Sequence, residues 1–267
     1  MSTVKVCCVK VCRAFDADES MPTTPIYDPS IKFLSRCSSE ELAPLQGALE
    51  EGGITNDLCE YPEFVKYDGV DRTKYVGAMC RELQLFGGNS IANFFRGGDG
   101  VPYSEIVCDV ADNLNIKYRE CDGVECIEQR ILDSVLKNAW ERMSNDEREN
   151  LLSEVVGGSL AVGGMTTSSF VALFRMGGFS SYKISLIVVN AIAKAILGRG
   201  LSLAANAGLC KVLSIVTGPV GWVVSGLWTA ADIAGPAYRV TIPAVIYIAA
   251  LRVMKNVQSA SLEMKAA

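Results

Sequence analysis

Apolar residues recur along most of this chain at the spacing of one helix face, and polar caps punctuate them. Asp28-Pro29 predicts an N-cap with proline at the first helical position, opening a short helix to Arg36. Ser38 with Glu41 has the form of a capping box and opens a helix to about Glu51, bent at Pro44 and stopped by Gly52-Gly53. A helix follows from about Asp71 to Phe86, is broken at Gly87-Gly88, and resumes over Asn89–Phe95. Pro102 starts another, to about Asn115. Asp122 and Glu125 form a second capping box, opening a helix to Met143 with Ile127, Ile131, Val135 and Leu136 on one face. Ser144 and Glu147 cap a shorter helix to Val156. The expected fold is all-α, with strand restricted at most to the first residues.

Beyond Glu154 the pattern changes. Residues 155–179 are rich in Gly and Ser and read as a joint leading into a helix at Ser168–Met176. Ser180–Leu197 is strongly apolar, with Lys183, Asn190 and Lys194 in one polar stripe, and Gly198 closes it. Leu201–Val216 follows, Pro219 opens a helix through Ala234, and Pro236 opens the last, kinked at Pro243 and running to about Asn256. The expected organisation is an extension (1–25), an acidic helical domain (26–154), the joint (155–179), an apolar helical module (180–256) and a tail (257–267).

Charge sharpens this division. Residues 1–150 carry 27 acidic and 16 basic side chains, whereas residues 151–267 carry 3 acidic and 9 basic, within a net charge of −5. No carboxylate occurs from Val155 to Ala231. A basic, apolar half suits an anionic membrane surface or an acidic protein partner. Val212–Ala231 is twenty uncharged residues, a membrane-spanning length, but Thr217-Gly218-Pro219 divides it. Ala204/Gly208 and Ala230/Ala234 are small-residue pairs of the kind that let helices approach closely in lipid.

Composition excludes several activities. The chain has no histidine, which removes Ser-His-Asp and Cys-His nucleophiles, His-ligated zinc and His-bound haem. Hydrophobic residues make up 49% and charged residues 21%, which excludes a disordered tail and a highly basic nucleic-acid binder. The ten cysteines are irregularly spaced with no C-x-x-C pair, so reduced thiols in an intracellular protein are expected. The alternating Val, Lys and Cys at the start form no secretory apolar region. Glu105, Asp109 and Asp112 share a helix face that reads as solvated, and Gly97-Gly98-Asp99-Gly100 lacks the lysine of a phosphate-binding loop. The expectation is a non-enzyme with no catalytic residue, cofactor, metal or small-molecule substrate and no nucleic-acid partner.

The remaining polar candidates are few. Asn89, Asn93 and Arg96 project at i, i+4 and i+7, to bind an anion or to satisfy backbone freed around Gly87-Gly88. Asp232 and Arg239 flank the Gly235-Pro236 turn of an apolar hairpin and suit a polar fastener. Trp222, Trp228, Lys183, Lys194 and Arg199 are the residues of that module suited to a membrane surface.

Three stretches carry a family likeness: Glu82–Gly98 (ELQLFGGNSIANFFRGG), Gly198–Asn206 (GRGLSLAAN) and Asp232–Pro243 (DIAGPAYRVTIP). With them the chain resembles the YaaW-like family of bacterial proteins, which is loosely grouped with ubiquinol–cytochrome c chaperone-like domains. The resemblance covers roughly Tyr27 to Arg252 and implies an all-helical, intracellular bacterial protein without catalytic residues. Two functional readings stay open. In one, the acidic domain masks a membrane-interacting apolar hairpin, giving a cytoplasmic protein with inner-membrane association. In the other, the apolar helices are the buried core of a wholly soluble interaction or assembly factor.

Overall fold

The computed structural model describes residues 28–52, 57–88, 100–156, 165–176 and 236–266. The described residues form eight α-helices: α1 (Ser39–Gly52), α2 (Pro62–Tyr67), α3 (Val76–Gly88), α4 (Tyr103–Asn113), α5 (Val124–Arg142), α6 (Asn145–Val156), α7 (Thr167–Arg175) and α8 (Pro236–Ala266). Short 3-10 helices lie at Pro29–Arg36, Asp57–Glu60 and Arg72–Lys74. The described residues contain no strand, as the caps and periodicity lead one to expect.

Local chemistry explains the helix starts. The Asp28 carboxylate accepts from Ser30 N at 2.8 Å, and its second oxygen accepts from Ser104 N at 3.4 Å. One side chain thus caps the first 3-10 helix and the first turn of α4. At α1 the capping box forms: Ser38 N donates to Glu41 Oε2 at 2.7 Å and Glu41 N donates to Ser38 Oγ at 3.2 Å. Pro44 is accommodated inside α1.

Other starts differ from expectation. The helix expected from Asp71 is divided, because the Asp71 side chain accepts from Thr73 N and Oγ1 and caps a 3-10 turn; the α-helix begins only at Val76. The Asp122–Glu125 box does not form. Gly123 is the N-cap residue of α5, Asp122 turns back to Arg119, and Glu125 reaches towards α8. The helices at 57–60 and 62–67, absent from the sequence reading, are too short to show a periodicity.

The largest departure is α8. The sequence placed it in an apolar module and ended it near Asn256, with a tail at 257–267. It continues to Ala266, and every residue from Val240 to Arg252 is buried. It packs against α1, α3, α4 and α5, so the described part of the apolar module is the central helix of the acidic domain. A helix apolar on all sides needs an apolar surround, and the other helices supply it with Leu42, Leu45, Met79, Leu83, Val107 and Leu132.

Two glycines make close packing possible. Gly87 lies in the last turn of α3, which ends at Gly88, and a Cβ there would come 2.4 Å from Ile106 Cγ1 of α4. Gly100 has φ +73°, and a Cβ would meet the Gln84 backbone at 2.9 Å, where Val101 N donates to Gln84 O. At the edge of the core, Trp140 of α5 stacks on Phe170 of α7 with centroids 4.4 Å apart, and Arg148 lies over the indole.

Gly100→Ala combines a left-handed backbone with a contact against main chain that cannot yield. It is expected to cost about 1–3 kcal/mol in urea unfolding. A midpoint equal to that of the native protein would show that the 100–102 segment does not hold this conformation.

Candidate functional site

The chemistry of the described fold gathers where α8 crosses α5 and α4. Arg252 extends from α8 into the core and is 8% exposed; Glu128 of α5 is 1% exposed. Arg252 Nε donates to Glu128 Oε2 at 2.5 Å and Nη2 donates to Glu128 Oε1 at 3.1 Å. Tyr103 at the start of α4 donates its hydroxyl to the same Oε1 at 2.6 Å. The guanidinium also donates to Ser30 O at 2.6 Å and to Glu125 Oε1 at 3.4 Å, and its carbon lies 4.5 Å from the Phe33 ring centre. Arg252 therefore joins α8 to α5 and the first 3-10 helix, and Glu128 adds α4 through Tyr103.

A second junction lies one helical stretch away. Lys255 Nζ pairs with Glu41 at 2.7 and 2.9 Å, and the Tyr247 hydroxyl donates to Glu41 O at 2.7 Å. The carboxylate that closes the α1 capping box thus also anchors α8. On the far side of α1, Gln46 Oε1 accepts from Arg72 Nε at 2.7 Å and from the Tyr75 hydroxyl at 3.0 Å.

These geometries indicate fastening. Both Glu128 oxygens are engaged, and the group is enclosed, so it is not presented to a substrate. Burial pushes the Glu128 carboxyl above its usual range against the pull of Arg252, and burial together with Glu128 holds Tyr103 well above the ordinary phenol value. Burial likewise pushes the Cys37 thiol up to about 11 and the Cys80 thiol to about 12, which makes both poor nucleophiles at neutral pH. Cys108, Cys121 and Cys126 are also free thiols. Among the described residues no group of His, Cys, Asp or Glu is arranged to hold a metal ion.

The sequence singled out other residues. Asn89, Asn93, Arg96, Lys183, Lys194, Arg199, Trp222, Trp228 and Asp232 lie outside the described residues. Arg239 is described and is exposed on the first turns of α8. Glu105 and Asp109 are half-buried, Asp112 is exposed, and all three lie on α4. Glu128 and Arg252 escaped notice although a signal existed. Glu128 lies at i−3 and i−4 to Ile131 and Leu132, on the apolar face of α5, and Arg252 interrupts an uncharged run that begins at Val240.

Comparison with known proteins now bears on this arrangement. The family model described as Ubiquinol-cytochrome C chaperone matches residues 77–246, from α3 into the middle of α8. A UPF0174 protein of Helicobacter pylori strain J99 is 43% identical over 232 residues, covering 85% of this chain and 91% of that protein. The chain belongs to the UPF0174 family. A second UPF0174 protein of that strain is 39% identical over 208 residues, or 74% and 97% of the two chains. The UPF0174 protein YaaW of Escherichia coli K12 is 31% identical over 239 residues, covering 86% and 95%. No solved structure matches. Among the described residues of this UPF0174 chain, no helix is long and apolar enough to cross a membrane.

Two measurements address the fastener. Arg252→Met leaves the enclosed Glu128 with only the Tyr103 hydroxyl and is expected to cost about 3–5 kcal/mol; adding Glu128→Leu should recover more than half of that loss. Fully additive costs in urea unfolding would show that the two groups do not meet. The pH dependence has opposite signs at two places. Asp122 and Asp71 lie below their ordinary value of 3.8, held there by hydrogen bonds from Arg119 and Thr73 respectively, so their contribution is present above 3.8 and is lost as pH falls through the lowered pKa. Glu128 is raised, so its contribution is present at low pH and declines as pH rises through its folded value. Asp122→Asn should therefore flatten the acid limb of the unfolding midpoint and leave its neutral limb unchanged; an acid limb as steep as that of the native protein contradicts the assignment.

Proposed function

We propose that this protein is a non-enzymatic, chaperone-like factor that binds another protein, with the apolar α8 helix as its internal scaffold. The observation that carries the reading is the burial of α8 within helices whose charged groups are spent on fixing it. The description of the matching family model, a chaperone, points the same way. Val65 and Val70, 68% and 76% exposed around the end of α2, are apolar side chains in a position to touch a partner. The competing membrane reading loses the second limb of its hairpin to the core. It now rests on residues 180–235, with Trp222 and Trp228; of the Asp232–Arg239 fastener, Arg239 is exposed on α8 and is not held in an apolar setting.

The test is whether the purified full chain suppresses aggregation of a chemically denatured protein at stoichiometric ratio, followed by light scattering. Suppression near equimolar amounts is the expected result. No suppression, together with a carbonate-resistant membrane pellet from expressing cells, would overturn this reading in favour of the membrane one.

A further inference from the structure

The segment between α4 and α5 holds an arrangement that the fasteners do not use. The end of α4 is fixed by paired hydrogen bonds, Ile116 N to Ala111 O at 2.8 Å and Asn115 N to Asp112 O at 3.0 Å, with Asn115 in the left-handed region at φ +55°. This closure sets the direction in which Lys117, Tyr118 and Arg119 leave the helix. Asp122 then organises the cations. Its side chain is 3% exposed, and it accepts from Arg119 N at 3.0 Å, from Arg119 Nε at 3.1 Å and from Arg119 Nη2 at 2.9 Å. Arg130 Nη2 of α5 comes within 3.4 Å of its other oxygen.

One carboxylate thus holds two guanidiniums side by side while the Arg119 side chain stays 75% exposed. A guanidinium has five N–H donors, so most of those on Arg119 and Arg130 remain for a ligand. Lys117, Tyr118, Arg119 and Arg130 line an open cleft of about 400 Å³. Three cations line it, two of them paired with Asp122, while Asp112 hydrogen-bonds the lining Tyr118, in the half of the chain that carries 27 acidic side chains and 16 basic ones. Glu125, the next carboxylate along the chain after Asp122, reaches Arg252.

The geometry points to a site for a phosphate-bearing anion in this cleft, with Arg119 and Arg130 as the paired donors and Lys117 as the third charge. Planar guanidiniums held by a carboxylate suit two phosphate oxygens at once. The cleft volume exceeds one phosphate group and suits a diphosphate or a phosphorylated small molecule. This site is independent of the protein-binding reading, because its paired cations are held by Asp122 and not by the groups that fix α8.

The test is calorimetric titration of the full chain with inorganic pyrophosphate in chloride buffer, using the native protein, Arg119→Gln, Arg130→Gln and Lys117→Gln. Saturable binding weakened about tenfold in each variant is expected, the loss of one charge-assisted contact. Lys117→Gln and Arg130→Gln should melt like the native protein, whereas Arg119→Gln, which gives up two hydrogen bonds to Asp122, should melt lower but remain folded at the titration temperature. A parallel arm measures sedimentation with phosphatidylglycerol vesicles against phosphatidylcholine vesicles. Binding to the first that pyrophosphate displaces identifies a lipid headgroup as the phosphate source, whereas pyrophosphate binding without vesicle binding identifies a soluble one. Binding that sulfate matches, that salt abolishes, and that the variants leave unchanged shows an adventitious ion only and overturns the site, as does no binding at all.

Discussion

The burial of one helix on every side governs the described fold. Val240 to Arg252 present no solvent-facing stripe, so α8 is stable only where other helices surround it. Each fully buried Val, Ile or Leu contributes roughly 1.5–3 kcal/mol relative to exposure, and this span contains six such residues, from Val240 to Leu251. That driving force is non-directional. It would accept α8 rotated or shifted along its axis at little cost. Direction comes from the polar groups between Tyr247 and Lys255: Arg252 reaches Glu128 and Ser30, Lys255 reaches Glu41, and the Tyr247 hydroxyl reaches the α1 backbone. Hydrophobic burial supplies the stability and three polar contacts set the register.

The same polar contacts have more than one duty. Glu41 closes the first turn of α1 and holds Lys255, so the start of one helix and the position of another depend on one carboxylate. Asp28 caps the first 3-10 helix and reaches α4. Tyr103, near that second cap, donates to Glu128. Local capping and long-range packing are therefore coupled through shared side chains. Such sharing favours a single arrangement, since a shifted helix would leave a buried charge without its partner.

The caps were legible in the sequence because they obey rules within four residues. Asp28-Pro29 and Ser38–Glu41 behaved as written. Asp122–Glu125 has the same spacing and failed, because Gly123 takes the cap position, Arg119 offers Asp122 a better partner, and Glu125 is drawn to a cation 127 residues away. The helical class was legible from the same caps and from the apolar periodicity, and the family for a different reason, through long motifs. The position of α8 was not legible. A helix apolar all round suits a membrane or a protein interior equally, and only the tertiary structure shows which surface surrounds it. The charge split between the halves misled for the same reason: the basic groups of α8 belong to the acidic domain and neutralise part of it from within. The candidates placed between 180 and 235 lie outside the described residues.

The most direct measurement of the central claim is hydrogen–deuterium exchange of the full chain in detergent-free buffer, read by peptide across α8. Amides from Val240 to Met254 should exchange among the slowest in the protein, with rates matched by those of the α5 segment around Glu128, and should be unchanged by added lipid vesicles. Fast exchange across this segment, or protection that develops only when vesicles are present, would show that α8 is not the interior helix of the bundle.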